Sequence, residues 1–133
     1  MEPYGFRLPK TIKGGFWEVF RLGADLFKVV LHPKSEDLEF SEMDTIHKAL
    51  MALGFTSDSL VLVVFNEGVS FSDAYRVKAG QISCKAVGVV PRNSFQAKIF
   101  QLLSSVTRKN FPVFFFNSEE EGMARLPLVS NQT

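Results

Sequence analysis

At 133 residues, with 46% hydrophobic and 22% charged side chains, the chain has enough apolar material for one globular core and too little for a second. Its 15 basic and 14 acidic residues leave a net charge of +1, which excludes an overall field favouring nucleic acid or an anionic membrane. The lone Cys84 excludes an internal disulfide, and no apolar run approaches the roughly 18 residues of a membrane-spanning helix. The opening residues from Met1 carry neither the basic region nor the apolar stretch of a secretory signal, so a cytoplasmic protein without a transmembrane segment is expected.

Residues 1–15, with Pro3, Pro9 and the Gly14–Gly15 pair, show no periodicity and read as an N-terminal arm. Aromatic and β-branched runs over 16–22 and 26–31, separated by Gly23, Ala24 and Asp25, predict a hairpin with a three-residue loop. Pro33 ends the second strand. An acidic stretch with Glu36, Asp37, Glu39, Glu42 and Asp44 then leads into a first helix, with Ser41 as cap and Asp44 as its partner three residues on. Met43, Ile46, Leu50 and Leu53 form one apolar stripe, and Gly54 supplies the stop.

The run from Leu60 to Phe65 is uninterrupted and rich in β-branched residues, which is how a strand covered on both faces reads. Asn66, Glu67 and Gly68 break it. Ser70 with Asp73 fits a capping box, so a second helix is predicted from about residue 70, with Phe71, Ala74 and Tyr75 on its apolar face and Gly80 at its left-handed end. A fourth strand over 86–90 is interrupted by Gly88 and closed by Pro91. Phe95, Ile99, Leu102, Leu103 and Val106 then share one face of a third amphipathic helix, opposite Gln96, Lys98, Gln101 and Ser105. A fifth strand over 112–116 follows, and Ser118 with Glu121 caps a short last helix that Pro127 should stop, leaving 130–133 loose.

An opening hairpin followed by alternating helices and strands implies an α/β fold with a mixed, mostly parallel five-stranded sheet and about four helices. Right-handed crossovers would place the helices largely on one side. The expected organisation is an arm over 1–15, one domain over 16–129 and a tail over 130–133. No internal repeat or low-complexity segment is present.

The element order, with the loop over 66–72 between the central strand and the second helix, resembles the STAS fold of anti-sigma-factor antagonists. More closely, the stretch Lys85-Ala-Val-Gly-Val-Val-Pro-Arg-Asn-Ser-Phe-Gln, then Ile99-Phe100, then Phe111-Pro-Val-Phe-Phe-Phe-Asn-Ser-Glu-Glu-Glu is similar to a family of small bacterial STAS-like proteins. The resemblance covers roughly residues 16–126. It implies a regulatory module in which a serine at the start of the second helix is phosphorylated and controls binding, and Ser70 and Ser72 are the positions that match. Two departures stand out. Ser72-Asp73 is followed by Ala74-Tyr75 rather than a glycine-rich start, and Gly122 and Arg125 stand where the family has an alanine and an aromatic residue.

For Ser70 and Ser72 the plain alternative is helix capping, which contributes about 1 kcal/mol. A phosphate there would instead add about −1.5 to −2 charges at the positive end of a helix, within reach of Arg76 and opposed by Glu67 and Asp73. The candidate partner loop is therefore Asn66, Glu67, Gly68, Ser70, Ser72, Asp73 and Arg76. Among the 14 phenylalanines, Phe114, Phe115 and Phe116 cannot all face one side of a strand, so both faces must be apolar there. Either helices cover both, or one face meets a ligand, a lipid or a second subunit. The topologically related CRAL-TRIO lipid carriers make an apolar cavity the alternative expectation, lined by Phe95, Ile99, Phe100, Leu103, Phe114 and Phe116.

His32 and His47 read as surface histidines, and no C-x-x-C or H-E-x-x-H spacing implies a metal. Cys84 reads as a small buried hydrophobe. Neither a Walker lysine pattern nor G-x-G-x-x-G occurs, and no nucleophile, base and orienter group together. The expectation is a non-enzymatic binding module without cofactor or nucleic acid. Its partner is another protein, with a second copy of the chain among the candidates, and the runner-up is a carrier of a small apolar molecule.

Overall fold

The computed structural model describes residues 10–34, 37–70, 72–92 and 111–131, together with the backbone but not the side chains of 73–76. Six strands and three helices are present among them: β1 (Thr11–Lys13), β2 (Trp17–Arg21), β3 (Leu26–Leu31), α1 (Phe40–Ala52), β4 (Leu60–Phe65), α2 (Asp73–Gly80), β5 (Ala86–Val90), β6 (Val113–Phe115) and α3 (Glu119–Ser130). The strands lie in sequence order, β1-β2-β3-β4-β5-β6. β1 to β3 are antiparallel neighbours, and β3 to β6 run parallel.

The expected hairpin forms between β2 and β3. Trp17 faces Leu31 and Arg21 faces Phe27, while the Leu22 N–H donates to the Leu26 carbonyl at 2.8 Å across the three-residue loop. The sheet has six strands rather than five because Thr11–Lys13, inside the predicted arm, pairs with β2. Three residues, one of them isoleucine, are too few to show a period, yet an open sheet edge is enough to order them.

Alternation in the pleat sorts the core into two clusters. On one face Val19, Phe27, Val29, Leu31, Val61 and Phe65 pack against Met43, Ile46, Ala49, Leu50 and Leu53 from α1 and its end. On the other, Leu60, Leu62, Val64, Ala86 and Val90 pack with Phe116 and Leu126. The helices are therefore not confined to one side. α1 connects two neighbouring parallel strands and is a crossover bound by the handedness rule. α3 follows the last strand, is bound by no crossover, and folds back over the face that β4 and β5 would otherwise expose.

Two glycines let α3 in. A Cβ at Gly122 would lie 2.6 Å from Leu62 Cδ1, and one at Gly88 would lie 2.9 Å from both Leu62 Cδ1 and Phe116 Cε2. The expected Ser118 cap is present, its Oγ accepting from the Glu121 N–H at 3.0 Å, and Lys28 on β3 pairs with Glu119 at 2.5 Å. Pro127 does not stop the helix but sits within it. The N–H it lacks would have served the carbonyl of Met123, a residue on the exposed side of the helix. Of the expected tail, Ser130 is buried with its Oγ donating to the Pro127 carbonyl, Asn131 accepts from Lys85 Nζ at 2.8 Å, and residues 132–133 lie outside the described residues.

Three terminal details differ from expectation. α1 begins at Phe40 with Glu39 as its cap, two residues ahead of Ser41, because the Glu42 side chain reaches back to the Glu39 N–H. Asp44 instead pairs with Lys48 at 3.0 Å and with Lys78 of α2 at 3.6 Å. Gly54 has the expected positive φ of 102°, whereas Gly80 is the last residue of α2 and is not among the glycines with positive φ. The third predicted helix, over 95–106, lies outside the described residues.

Candidate functional site

The carboxyl ends of the parallel strands are where an open α/β sheet presents its crevice. β3 ends at Leu31, β4 at Phe65 and β5 at Val90, so the chain leaves each strand through His32, Asn66 and Pro91-Arg92. Leu31 is registered with Phe65 and Val64 with Val90. Continuing that register sets His32 beside Asn66 and Asn66 beside Arg92. The Asn66 N–H carries the ladder on by donating to the Leu31 carbonyl at 3.1 Å. Glu18, registered with Val30 on β2, completes the row from the antiparallel side.

All four are even-numbered and, by the pleat, share the face of Leu62, Val64 and Val90. Their side chains are linked end to end. Arg92 Nη2 donates to Asn66 Oδ1 at 2.7 Å, Asn66 Nδ2 meets His32 Nδ1 at 3.0 Å, and His32 Nε2 meets Glu18 Oε1 at 2.9 Å. Beside the Arg92 end lies a cleft of about 220 Å³, floored by Val64 and Val90 and rimmed by Arg92, Asn117, Ser118 and Glu119.

The loop that follows Asn66 turns through Gly68 at a φ of 88°, the left-handed region, where a Cβ would also lie 3.3 Å from Pro33. It then pairs with the segment entering α1. The Leu38 N–H donates to the Ser70 carbonyl and the Ser72 N–H to the Leu38 carbonyl, each at 2.9 Å. The Ser70 hydroxyl donates to Asp37 Oδ1 at 2.5 Å. Ser70 is thus not the cap of α2, which begins three residues later at Asp73 with Ser72 directly ahead of it. The cap fails at Ser70 because its carbonyl and the Ser72 N–H are both taken by the backbone of Leu38, far away in sequence.

Of the predicted loop residues, Asn66 enters the polar row, Glu67 and Gly68 form the turn, and Ser70 and Ser72 flank the bridge. Asp73 and Arg76 lie on α2, with side chains outside the description. Of the predicted apolar set, Phe114 and Phe116 pack with Leu62 and Leu126 beneath α3. Phe115 belongs to the opposite cluster with Val113. Phe95, Ile99, Phe100 and Leu103 lie outside the described residues.

His32 and Arg92 were missed as members of a site. The signal was available in the position of each polar residue immediately, or one proline, beyond an apolar parallel strand. His47 is half-buried on α1 with its ring edge-on to Phe55. Burial first, and the Lys78 ammonium second, hold its imidazole below the ordinary value against the opposing pull of Asp44. Cys84 is buried as expected, and burial pushes its thiol up to about 12, which makes it a poor nucleophile. Among the described residues no three His, Cys, Asp or Glu side chains are grouped to hold a metal ion, and no helix is long and apolar enough to cross a membrane.

Compared with known proteins, the chain matches no family model, no curated protein and no solved structure.

Proposed function

We propose that the protein is a non-enzymatic, STAS-like binding module of the cytoplasm that contacts a protein partner through the loop over 66–72 and the adjoining starts of α1 and α2, with Ser70 as its switch. The observation that carries this reading is the bond from the exposed Ser70 hydroxyl to Asp37, which ties the entry of α2 to the entry of α1. A hydroxyl in that bond is a donor, and a phosphate is not.

Phosphorylation would replace the bond with about −1.5 to −2 charges beside the Asp37 carboxylate. At about 4 Å and the dielectric of water, each unit of added charge repels that carboxylate by roughly 1 kcal/mol. The two backbone bonds between Leu38 and residues 70 and 72 are the nearest structure that can yield. Phe40 at the first position of α1 and Val77 on α2 are both about half exposed, at 48% and 49%, and supply apolar contact area on the same pair of helices. A switch here alters how the two helix starts are presented while leaving the sheet core in place.

The test compares wild type, Ser70→Ala and Ser70→Asp by amide hydrogen exchange and by partner capture. Exchange at the Leu38 and Ser72 amides should quicken about fivefold in Ser70→Asp and less in Ser70→Ala, because only the aspartate adds repulsion. A partner held by wild type and Ser70→Ala should be lost by Ser70→Asp. Equal exchange and equal capture in all three would remove Ser70 from the function.

A further inference from the structure

The carboxylate of Asp44 links α1 to α2. It holds Lys48 of its own helix at 3.0 Å and Lys78 of α2 at 3.6 Å, and the Lys78 ammonium also lies 5.6 Å from the centre of the Phe40 ring. His47 follows Asp44 by three residues on α1 and so stands on the same flank, half-buried, with its ring edge-on to Phe55. The hydrogen bond from Lys48 first, and the Lys78 charge after it, hold the Asp44 carboxyl below its ordinary value, so it stays charged down to pH 5. Two ammoniums already share this one carboxylate. α2 has eight residues, too few for a helix to be stable alone, and depends on what ties it to its neighbours.

From this arrangement we infer that His47 is a proton-operated release for α2. A proton on the ring adds a third cation to a group with a single carboxylate. Lys48 is bound within its own helix at the shorter distance, and the ring is packed against Phe55, so the contact that yields is the longer one from Lys78. Its ammonium leaves Asp44 and the Phe40 ring together. The ion pair between the two helices is then lost, and Phe40, already 48% exposed, gives up the cation that lies over it. Imidazole is the side chain that ordinarily changes charge between about pH 5 and 8, and burial followed by the Lys78 charge moves this one to the acid side of 6.5.

The groups that face the ring come from three segments. Asp44 on its own helix favours the proton, and Lys78, the charged residue among the described side chains of α2, opposes it. Phe55, beyond the end of α1, brings an apolar ring and no charge. Lys48, next to His47 in sequence, is engaged by Asp44 and is 71% exposed, so water screens it. Linkage makes the effect reciprocal: because Lys78 disfavours the proton on His47, that proton disfavours Lys78 in its place by the same free energy. The release needs no covalent change at Ser70 and no movement in the sheet below.

NMR on the full chain, titrated from pH 8 to pH 5, tests the release. The Lys78 side-chain signals and the amides of residues 77–80 should move with the midpoint of the His47 ring, and that midpoint should lie below 6.5. At pH 5, amide exchange over 77–80 should be about threefold faster in wild type than in His47→Gln, the effect of one unit charge a few ångström from another in water, and at pH 8 the two should agree. Lys78→Met keeps an apolar stem beside Phe40 without the charge. In that variant the α2 amides should lose their acid response and His47 should take its proton at a higher pH. The amides of β4 report in every chain that the fold is intact. Lys78 signals that ignore the His47 midpoint, equal exchange in wild type and His47→Gln at pH 5, or an unmoved His47 midpoint in Lys78→Met would each overturn the release.

Discussion

Replacing Gly122 with alanine tests how α3 is seated on the sheet, because two effects of opposite sign compete at that residue. In an exposed helix interior, alanine is favoured over glycine by about 0.8–1.0 kcal/mol. Here the new Cβ would lie 2.6 Å from Leu62 Cδ1 and 3.0 Å from Cδ2, about 1 Å inside ordinary carbon contact. Leu62 is fully buried, so its side chain can give way only by displacing its packed neighbours. Overpacking of this kind costs about 1–3 kcal/mol, and with the helix-propensity gain set against it the net expectation is a loss of up to about 2 kcal/mol. Urea unfolding of wild type and Gly122→Ala reads the sign directly. Repeating the substitution in a Leu62→Ala background supplies the control, since there the added methyl should be neutral or stabilising by up to about 1 kcal/mol. A stabilised Gly122→Ala in the wild-type background would refute the close seating of α3.

The His47 imidazole is held below its ordinary value of 6.5, so above that pH it contributes stability, and the contribution is lost as pH falls through the folded value because the unfolded chain binds the proton first. Denaturant midpoints taken across pH 7 to 5 should therefore fall less steeply for His47→Gln than for wild type. The Cys84 thiol is raised from 9.0 to about 12, so its contribution is intact below pH 9 and is lost as pH rises towards the folded value. Wild type should lose stability between pH 9 and 11, Cys84→Ala should lose less, and a thiol reagent at pH 8 should label the unfolded chain far faster than the native one. Gly54→Ala forces a methyl-bearing residue to a φ of 102° at the end of α1, and thermal unfolding should show a loss of about 1 kcal/mol or more.

Long periodic or uniformly apolar stretches were legible in the sequence. The four-residue spacing of Ile46 and Leu50 gave α1, the unbroken run over 60–65 gave β4, and the Ser118–Glu121 pair gave the start of α3. What was not legible depends on contacts distant in sequence. β1 forms because β2 offers an edge, and Ser70 is not a cap because Leu38, 32 positions earlier, bridges it. The helices occupy both faces because α3 follows no rule of crossover and meets glycines at 88 and 122. The polar row was half visible. Asn66 stood out as the break after β4, whereas the link to His32 and Arg92 appears only when three strand ends are set in register.

Mass spectrometry of protein purified gently from its own source, under native and then denaturing conditions, tests the regulatory reading most directly. A switch at Ser70 gives an increment of one phosphate that survives denaturation and maps to Ser70. An increment that vanishes on denaturation, with Ser70 unmodified, would contradict it and replace the switch with a bound small molecule.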